Sequence, residues 1–343
     1  MKILFLLPRF HTNIFHAVKA LQDRGHKVRM LCARQNAIED HSHIVPDVID
    51  QSRLNWRFVF TLLRQSRPDL IVIREPKGRW RRFNLAAALL GIKCLGYDPS
   101  PYTKRRSLMR KLREYWQGRP MRRWTPVYGY GAMADRQAYY VPFPIEAGGA
   151  ERSYAPDGQA RIICVGKLSQ PRKRHLFLLD VLESLPVDRF SLTLVGSSSK
   201  ATDSTDDYAD QLRKRVAQSP LSDQIEILEN LPFSEMTALY AAHDICVMPA
   251  DREVVGIAPV EAMAQGCVPV ISTGCGSGSL LTNGENGYLF PVDDAEVLKA
   301  ILAKLIGDQA LLVKVGRAAQ AFVADELNGQ QFADRFEHIA AQL

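Results

Sequence analysis

Two carboxylates, Glu253 and Glu261, bracket the seven residues Val-Val-Gly-Ile-Ala-Pro-Val, and Ala-Met-Ala-Gln-Gly-Cys-Val-Pro-Val follows them. Gly256 permits close backbone approach, Pro259 suits a first helical position because its missing N–H would be unpaired anyway, and Gly266 can take the left-handed conformation that closes a helix. The pattern predicts a helix over residues 257–265. Helix starts present unpaired N–H groups and a partial positive charge, so a diphosphate against Gly256, Ile257 and Ala258 would be held by main-chain donors. An ionised carboxylate accepts through two oxygens, and Glu253 on the loop and Glu261 one turn into the helix could each take hydroxyls at either end of that group. The competing reading is that Glu261 only complements the helix dipole.

Three further blocks accompany this one. Ile162-Ile-Cys-Val-Gly166-Lys167-Leu168, with Lys173 ahead of a helix bearing Leu176, Leu179, Val181, Leu182 and Leu185, reads as strand, basic pair and helix. Leu239-Tyr-Ala-Ala-His-Asp-Ile-Cys-Val-Met-Pro249 reads as a helix and strand leading into the glutamate loop, and Asn283-Gly-Glu-Asn-Gly-Tyr-Leu289 as a turn and strand after it. In this order the four blocks resemble the signature of family-4 retaining glycosyltransferases, with the E-x7-E motif at Glu253 and Glu261, over about residues 160–300. The resemblance implies a GT-B fold: two Rossmann-like, doubly wound parallel-sheet α/β domains facing across a cleft.

Carried over residue by residue, the resemblance makes Glu253, Lys173 and Lys167 catalytic and places a nucleotide diphosphate sugar on Gly166, Leu231, Gly256, Ile257, Ala258 and Glu261. Lys167 stands where most members carry Arg, which keeps the charge and loses the bidentate fork. Uracil and guanine both fit as the base. The implied reaction is front-face transfer of a sugar, with retention, to a saccharide or lipid-linked acceptor, without a protein nucleophile. The donor is a substrate and no cofactor is expected; no Asp-x-Asp pair occurs, so no metal site is expected.

The acceptor side departs from the pattern. Relatives often carry Gly-Gly after the first strand, where this chain has Pro8-Arg9-Phe10-His11-Thr12-Asn13. Where relatives often have a His, Leu95-Gly-Tyr97-Asp98 stands. His11, Asn13, Arg74, Tyr97 and Asp98 are the acceptor-side candidates, and the departures support an alternative: a catalytically inactive, glycosyltransferase-like partner protein that binds a nucleotide sugar or a sister enzyme. Donor binding without turnover would favour that alternative.

The elements that must position these groups follow from the alternation of short apolar runs with helical stretches. That alternation predicts parallel sheets covered by helices on both faces. Ligands of such sheets bind beyond the carboxyl ends of the strands. Residues 1–145 read as an acceptor-side domain, 150–327 as the nucleotide-sugar domain, and 328–343 as a helix crossing back to the first. Neither half has a Gly-x-Gly-x-x-Gly turn after its first strand, which disfavours a dinucleotide dehydrogenase.

The 343 residues suit two domains, each able to bury a core. The formal charge of +7 divides unevenly: residues 1–150 hold 27 Lys and Arg against 11 Asp and Glu, the remainder 17 against 26. The first half should therefore meet something anionic. Residues 104–124 set Arg105, Arg106, Arg110, Lys111 and Arg113 beside Leu108, Met109, Leu112, Tyr115 and Trp116. That is the form of a helix on an anionic membrane surface, or equally of a core-packed helix with a solvated basic face. No nucleic-acid recognition module accompanies the charge, and none is expected as partner. The first apolar run is short and meets Pro8, so it reads as a strand rather than a leader, and no run spans a bilayer. The six cysteines lack metal-type spacing and read as buried thiols, which with the rest gives a cytoplasmic protein, peripheral to the inner face of the membrane if the 104–124 helix takes the first of its two readings.

Overall fold

A computed structural model describes residues 1–10, 12–35, 43–74, 78–99, 106–117, 119–120, 122–127, 137–148, 152–154, 159–198 and 207–343. The chain divides into two compact units, Met1–Pro144 with Leu327–Leu343, and Ile145–Glu326.

In the first unit the strands are β1 (Lys2–Arg9), β2 (Lys27–Arg34), β3 (Asp47–Val48), β4 (Leu70–Arg74), β5 (Lys93–Tyr97), β6 (Arg123–Thr125) and β7 (Ala138–Tyr140). Its helices are α1 (Thr12–Asp23), α2 (Trp56–Ser66), α3 (Arg81–Leu89) and α4 (Leu108–Trp116). The second unit holds strands β8 (Ala160–Val165), β9 (Phe190–Gly196), β10 (Ile225–Glu229), β11 (Ile245–Met248), β12 (Val268–Ser272) and β13 (Tyr288–Phe290). Between them run α5 (His175–Leu182), α6 (Asp207–Ala217), α7 (Phe233–Ala241), α8 (Ala258–Ala264), α9 (Ala295–Gly307) and α10 (Gln309–Glu326); α11 (Gly329–Gln342) returns to the first unit.

Both sheets are parallel throughout their described strands, in the orders β3-β2-β1-β4-β5-β6-β7 and β10-β9-β8-β11-β12-β13. Strands buried on both faces must be apolar along their whole length rather than alternating. Accordingly Ile3 to Leu7 of β1 are all nearly inaccessible, and so are all four residues of β11. Of the architecture expected from the sequence, the two parallel-sheet α/β units are observed.

The order of each sheet reverses between its two central strands, β1 and β4 in one unit and β8 and β11 in the other. Loops leaving neighbouring strands on opposite sides of such a point diverge and leave a crevice at the carboxyl ends. In the second unit these are the loop after β8, with Gly166 to Lys173, and the loop after β11, with Glu253.

Side-chain caps mark several helix starts: Asn55 accepts from the Phe58 amide at 2.8 Å, Asp294 from Val297 at 3.0 Å and Asn328 from Gln331 at 2.8 Å. Phe332 and Phe336 of α11 lie 5.6 and 6.0 Å, ring to ring, from Trp124 of β6, which is fully buried and donates its indole N–H to the Val141 carbonyl at 2.7 Å. Such an aromatic cluster ties the last helix to the first unit through buried area. Five of the six cysteines are buried and Cys94 is half-buried.

Candidate functional site

The second unit gathers its polar candidates at the carboxyl ends of β8 and β11. After β8 the chain passes Gly166 and Lys167 into a short turn, Pro171–Lys173. Arg174 there adopts a left-handed backbone, φ 60°, and α5 begins immediately afterwards. The stem of Lys173 lies over Gly166: a Cβ on that glycine would fall 3.0 Å from Lys173 Cδ and 3.2 Å from Cε. Only a residue without a side chain leaves the lysine this path. Lys167 is half-buried beside it.

Lys173 Nζ donates to Glu253 Oε2 at 2.6 Å, and the Arg172 guanidinium donates to the same oxygen at 2.6 Å. The glutamate is held from its own side as well. Its amide donates to the Gly274 carbonyl at 2.9 Å and its carbonyl accepts from Gly276 at 2.9 Å. Burial pushes the Glu253 carboxyl up, but Lys173 and then Arg172 more than offset this and leave it below the usual carboxylate range. It is therefore an anion at neutral pH. His175, one residue past the turn, is fully buried, and burial with the Lys173 charge pushes its imidazole down to about 3, so it stays neutral.

Gly256 has φ +67°, and a Cβ there would collide with Cys275 Sγ and lie 3.2 Å from Ser277 Oγ. The glycine is thus required twice, by conformation and by space. The helix that follows, α8, runs one residue shorter at each end than the 257–265 expected, because Ile257 is its cap and Gln265 leaves helical geometry ahead of Gly266, at φ +77°. The amides of Gly256, Ile257 and Ala258 donate to no described residue. Pro259, next in line, has no N–H to satisfy.

Glu261, on the first turn of α8, accepts from the Tyr240 hydroxyl at 3.0 Å through Oε2, while its buried Oε1 has no partner among the described residues. Burial raises its carboxyl to about 7, with the Tyr240 hydrogen bond pulling the other way. Leu231, just past β10, is half-buried and packs on the cluster of Ile163, Val195, Tyr240, Cys246 and Ala262 that backs the same helix. Sequence reasoning gave neither Arg172 nor Tyr240 a role. The only signal for the first was its place in the run Arg172-Lys173-Arg174, and for the second its place in the third motif block.

The first unit treats its candidates differently. Tyr97, expected beside the acceptor, is the last residue of β5 and only 2% exposed; its ring packs 4.8 Å from Trp124 and 6.0 Å from Phe143. An aromatic at the end of a central strand is drawn into the core by the area it buries, so a contact role for its ring is withdrawn. Asp98 is half-buried and its carboxylate accepts from Arg123 at 3.2 Å, which makes it part of an internal ion pair. Arg74 ends β4 with its guanidinium 5.2 Å over the Tyr97 ring. Of its basic neighbours, Arg79 donates to the Ser52 carbonyl at 2.6 Å and Arg82 to the Leu54 carbonyl. Asn13 lies in the first turn of α1, and His11 lies outside the described residues.

No described helix is long and apolar enough to cross a membrane. Of the basic stretch 104–124, residues 104, 105, 118 and 121 lie outside the described set; α4 lies within it.

Comparison with solved proteins places the architecture. A glycosyltransferase from Rickettsia africae superposes with a TM-score of 0.79 over 99% of this chain and 98% of that one, at 15% identity. The Anabaena protein HepE in complex with UDP-glucose superposes with a TM-score of 0.75 over the whole of both chains, at 16% identity. At such identities the likeness establishes the fold. In sequence, a stretch of 162 residues is 30% identical to the lipopolysaccharide core biosynthesis mannosyltransferase LpcC of Rhizobium leguminosarum, covering 47% of this chain and 45% of that protein. This chain spans about half, or less, of the length of such curated relatives. The model of the family described as glycosyl transferases group 1 matches residues 150–322, half of the chain and the whole of the loop cluster from Gly166 to Glu261, so the protein belongs to that family.

Proposed function

We propose that the protein is a retaining, metal-independent glycosyltransferase of the family-4 type, which moves a sugar from a nucleotide diphosphate sugar to a saccharide or lipid-linked acceptor. The carrying observation is the set of unmet polar groups around α8. Among the described residues, three consecutive amides have no acceptor and the buried Glu261 Oε1 has no partner; these groups sit one turn apart, next to a carboxylate and two cations. Buried polar atoms left without partners cost stability and are retained where a ligand completes them. A diphosphate fits the amides and a ribose hydroxyl fits Glu261.

In this reading the bond between the anomeric carbon and the diphosphate oxygen breaks while the acceptor oxygen attacks from the same face. The acceptor proton passes to the departing phosphate oxygen. Lys173 and Lys167 stabilise the charge that develops on that oxygen, and Glu253 orients Lys173 and accepts from sugar hydroxyls. Relatives named for lipopolysaccharide core and amylovoran biosynthesis support an acceptor in polysaccharide or glycoconjugate assembly.

The test is donor turnover with UDP- and GDP-sugars over a panel of saccharide and lipid-linked acceptors, with the product anomer read by NMR and the rate repeated in EDTA. Release of nucleotide diphosphate with retained configuration, unaffected by chelation, is expected. Calorimetric donor binding with no turnover on any acceptor would instead favour the inactive partner role, and absence of donor binding would remove both.

A further inference from the structure

The helix α4 is mounted inside out. Ser107 caps it by accepting from the Arg110 amide at 3.2 Å, and its apolar residues form one stripe. That stripe faces solvent: Leu108 is 68% exposed, Met109 76%, Leu112 36% and Trp116 74%. The residue turned inward is Glu114. It is buried, and its Oε2 accepts from Arg106 at 3.0 Å and from Arg123 of β6 at 2.6 Å, while Oε1 accepts from Arg110 at 3.0 Å. Arg123 also donates to Asp98 at 3.2 Å, so three guanidiniums and two carboxylates fasten the helix to the sheet. Burial pushes the Glu114 carboxyl up, and Arg123, Arg110 and Arg106 outweigh it and hold it below the usual range, so the anchor stays ionised. A core-packed helix with a solvated basic face would have the reverse orientation.

Four large apolar side chains on nine residues form an exposed patch that ordinary surface composition does not produce. Their flank is cationic, with Arg113 exposed and the Arg110 side chain 58% exposed. We infer that α4 docks this protein on an anionic lipid surface, with Leu108, Met109, Leu112 and Trp116 entering the acyl boundary and Arg110, Lys111 and Arg113 at headgroup level. Charge selects this occupant over a second copy of the chain. Residues 1–150 carry 27 basic against 11 acidic side chains, so a symmetric contact of this face with the same face of a second copy would bring positive charge against positive charge, whereas an anionic bilayer supplies the complement. The interfacial setting of Trp116 and the aliphatic trio is that of a helix lying in the membrane plane. The inference is independent of the sugar transfer proposed above.

The experiment is co-sedimentation of the full-length protein with vesicles of phosphatidylcholine alone and with phosphatidylglycerol added. Binding is expected only with the anionic lipid and should fall as salt is raised. The triple variant Leu108→Ser, Leu112→Ser, Trp116→Ser should lose at least about tenfold in partition, and Arg113→Gln about fivefold, the ratio equivalent to about 1 kcal/mol per basic residue near such a surface. Circular dichroism melting and nucleotide-sugar binding of the triple variant should match wild type, because none of the three residues is in the core or the donor site. Wild-type fluorescence should shift to the blue on binding, and Trp116→Phe should abolish most of the shift. Vesicle binding that is absent, indifferent to anionic lipid, or unchanged in the triple variant would overturn the inference. So would a wild-type dimer in sedimentation velocity that the triple substitution dissociates, which would assign the face to a second copy.

Discussion

Lys173 Nζ lies 2.6 Å from Glu253 Oε2, joining the loop after β8 to the loop after β11 across the point where the sheet order reverses. The two residues are 80 apart in the chain, and their bond sets the position of the cation proposed to meet the departing diphosphate. Lys173→Ala should lower kcat by about 10²–10³-fold, the usual cost of removing one group aimed at developing charge. Glu253→Gln should also lower kcat, and the double variant should fall short of the product of the two effects because each substitution disrupts the same pair. Steady-state kinetics of the three proteins on one donor and acceptor decide this.

If Glu261 takes the ribose hydroxyls as proposed, donor affinity should depend on pH. The Glu261 carboxyl is raised to about 7, and ribose hydroxyls donate best to the ionised form. Donor binding should therefore release a proton below that value, and affinity should rise with pH up to about 7 and level off above it. At pH 6 a nucleotide sugar should bind about tenfold more weakly than at pH 8. Glu261→Gln should bind weakly and without this slope. Calorimetry with an intact nucleotide sugar is the proper readout, since its diphosphate does not titrate across this range.

A second consequence of the same group concerns folding. The folded carboxyl is raised above the unfolded value of 4.5, so the folded state holds the proton more tightly. Its contribution to stability should be greatest below pH 4.5 and should decline as pH rises from 4.5 to about 7. Urea unfolding of wild type and Glu261→Gln over that interval should show the difference in slope.

Gly256→Ala tests the backbone of the proposed phosphate cradle. The position has φ +67° and a methyl would meet Cys275 Sγ, so the variant should lose about 1–3 kcal/mol of stability and most of its donor affinity. Pairing it with Cys275→Ala should recover part of the stability, by removing the collision while leaving the backbone strain. Loss of affinity with no stability change would mean that the loop accommodates the methyl by moving.

Asp244 immediately precedes β11, at the amino ends of the strands and so at the opposite end from the loops that carry Lys173 and Glu253; it is fully buried and accepts from Arg161 at 2.8 and 2.9 Å and from Arg152 at 3.3 Å. Asp244→Ala leaves the buried Arg152 guanidinium without this partner and should cost about 3–5 kcal/mol. Burial pushes the Asp244 carboxyl up, but Arg161 and then Arg152 bring it below its usual 3.8. The stability it confers is present above that unfolded value and is lost as pH falls through the lower folded one. The gap between wild type and Asp244→Ala in chemical denaturation should thus narrow only below about pH 3.8.

The central strands were legible because each carries its own evidence. Runs such as Ile3 to Leu7 and Ile245 to Met248 are apolar without alternation, and a strand covered on both faces requires nothing else. The ends of α8 were legible to one residue because Pro259 and Gly266 act locally. The candidate site was legible as motif blocks but not as contacts. Nothing near Arg172 in the chain distinguishes a solvated arginine from one bound to Glu253, and nothing in Tyr240 announces a hydrogen bond to Glu261. Tyr97 was named because it stands where relatives often carry a His, and position in the chain says nothing of Trp124 and Phe143, which are distant in sequence and hold its ring in the core.

By itself the amino-acid sequence determined that there would be two parallel α/β units and where their strand-end loops would fall, since burial pattern, glycine conformation and proline position are properties of short segments. Tertiary structure alone decided that Lys173 rests on Glu253, that one oxygen of Glu261 has no partner among the described residues, and that α4 turns its apolar stripe outward. Each of these depends on which distant residue arrives opposite: a stripe of leucines has the same periodicity whether it faces a core or a solvent, and here the arginines that bind Glu114 settle the direction.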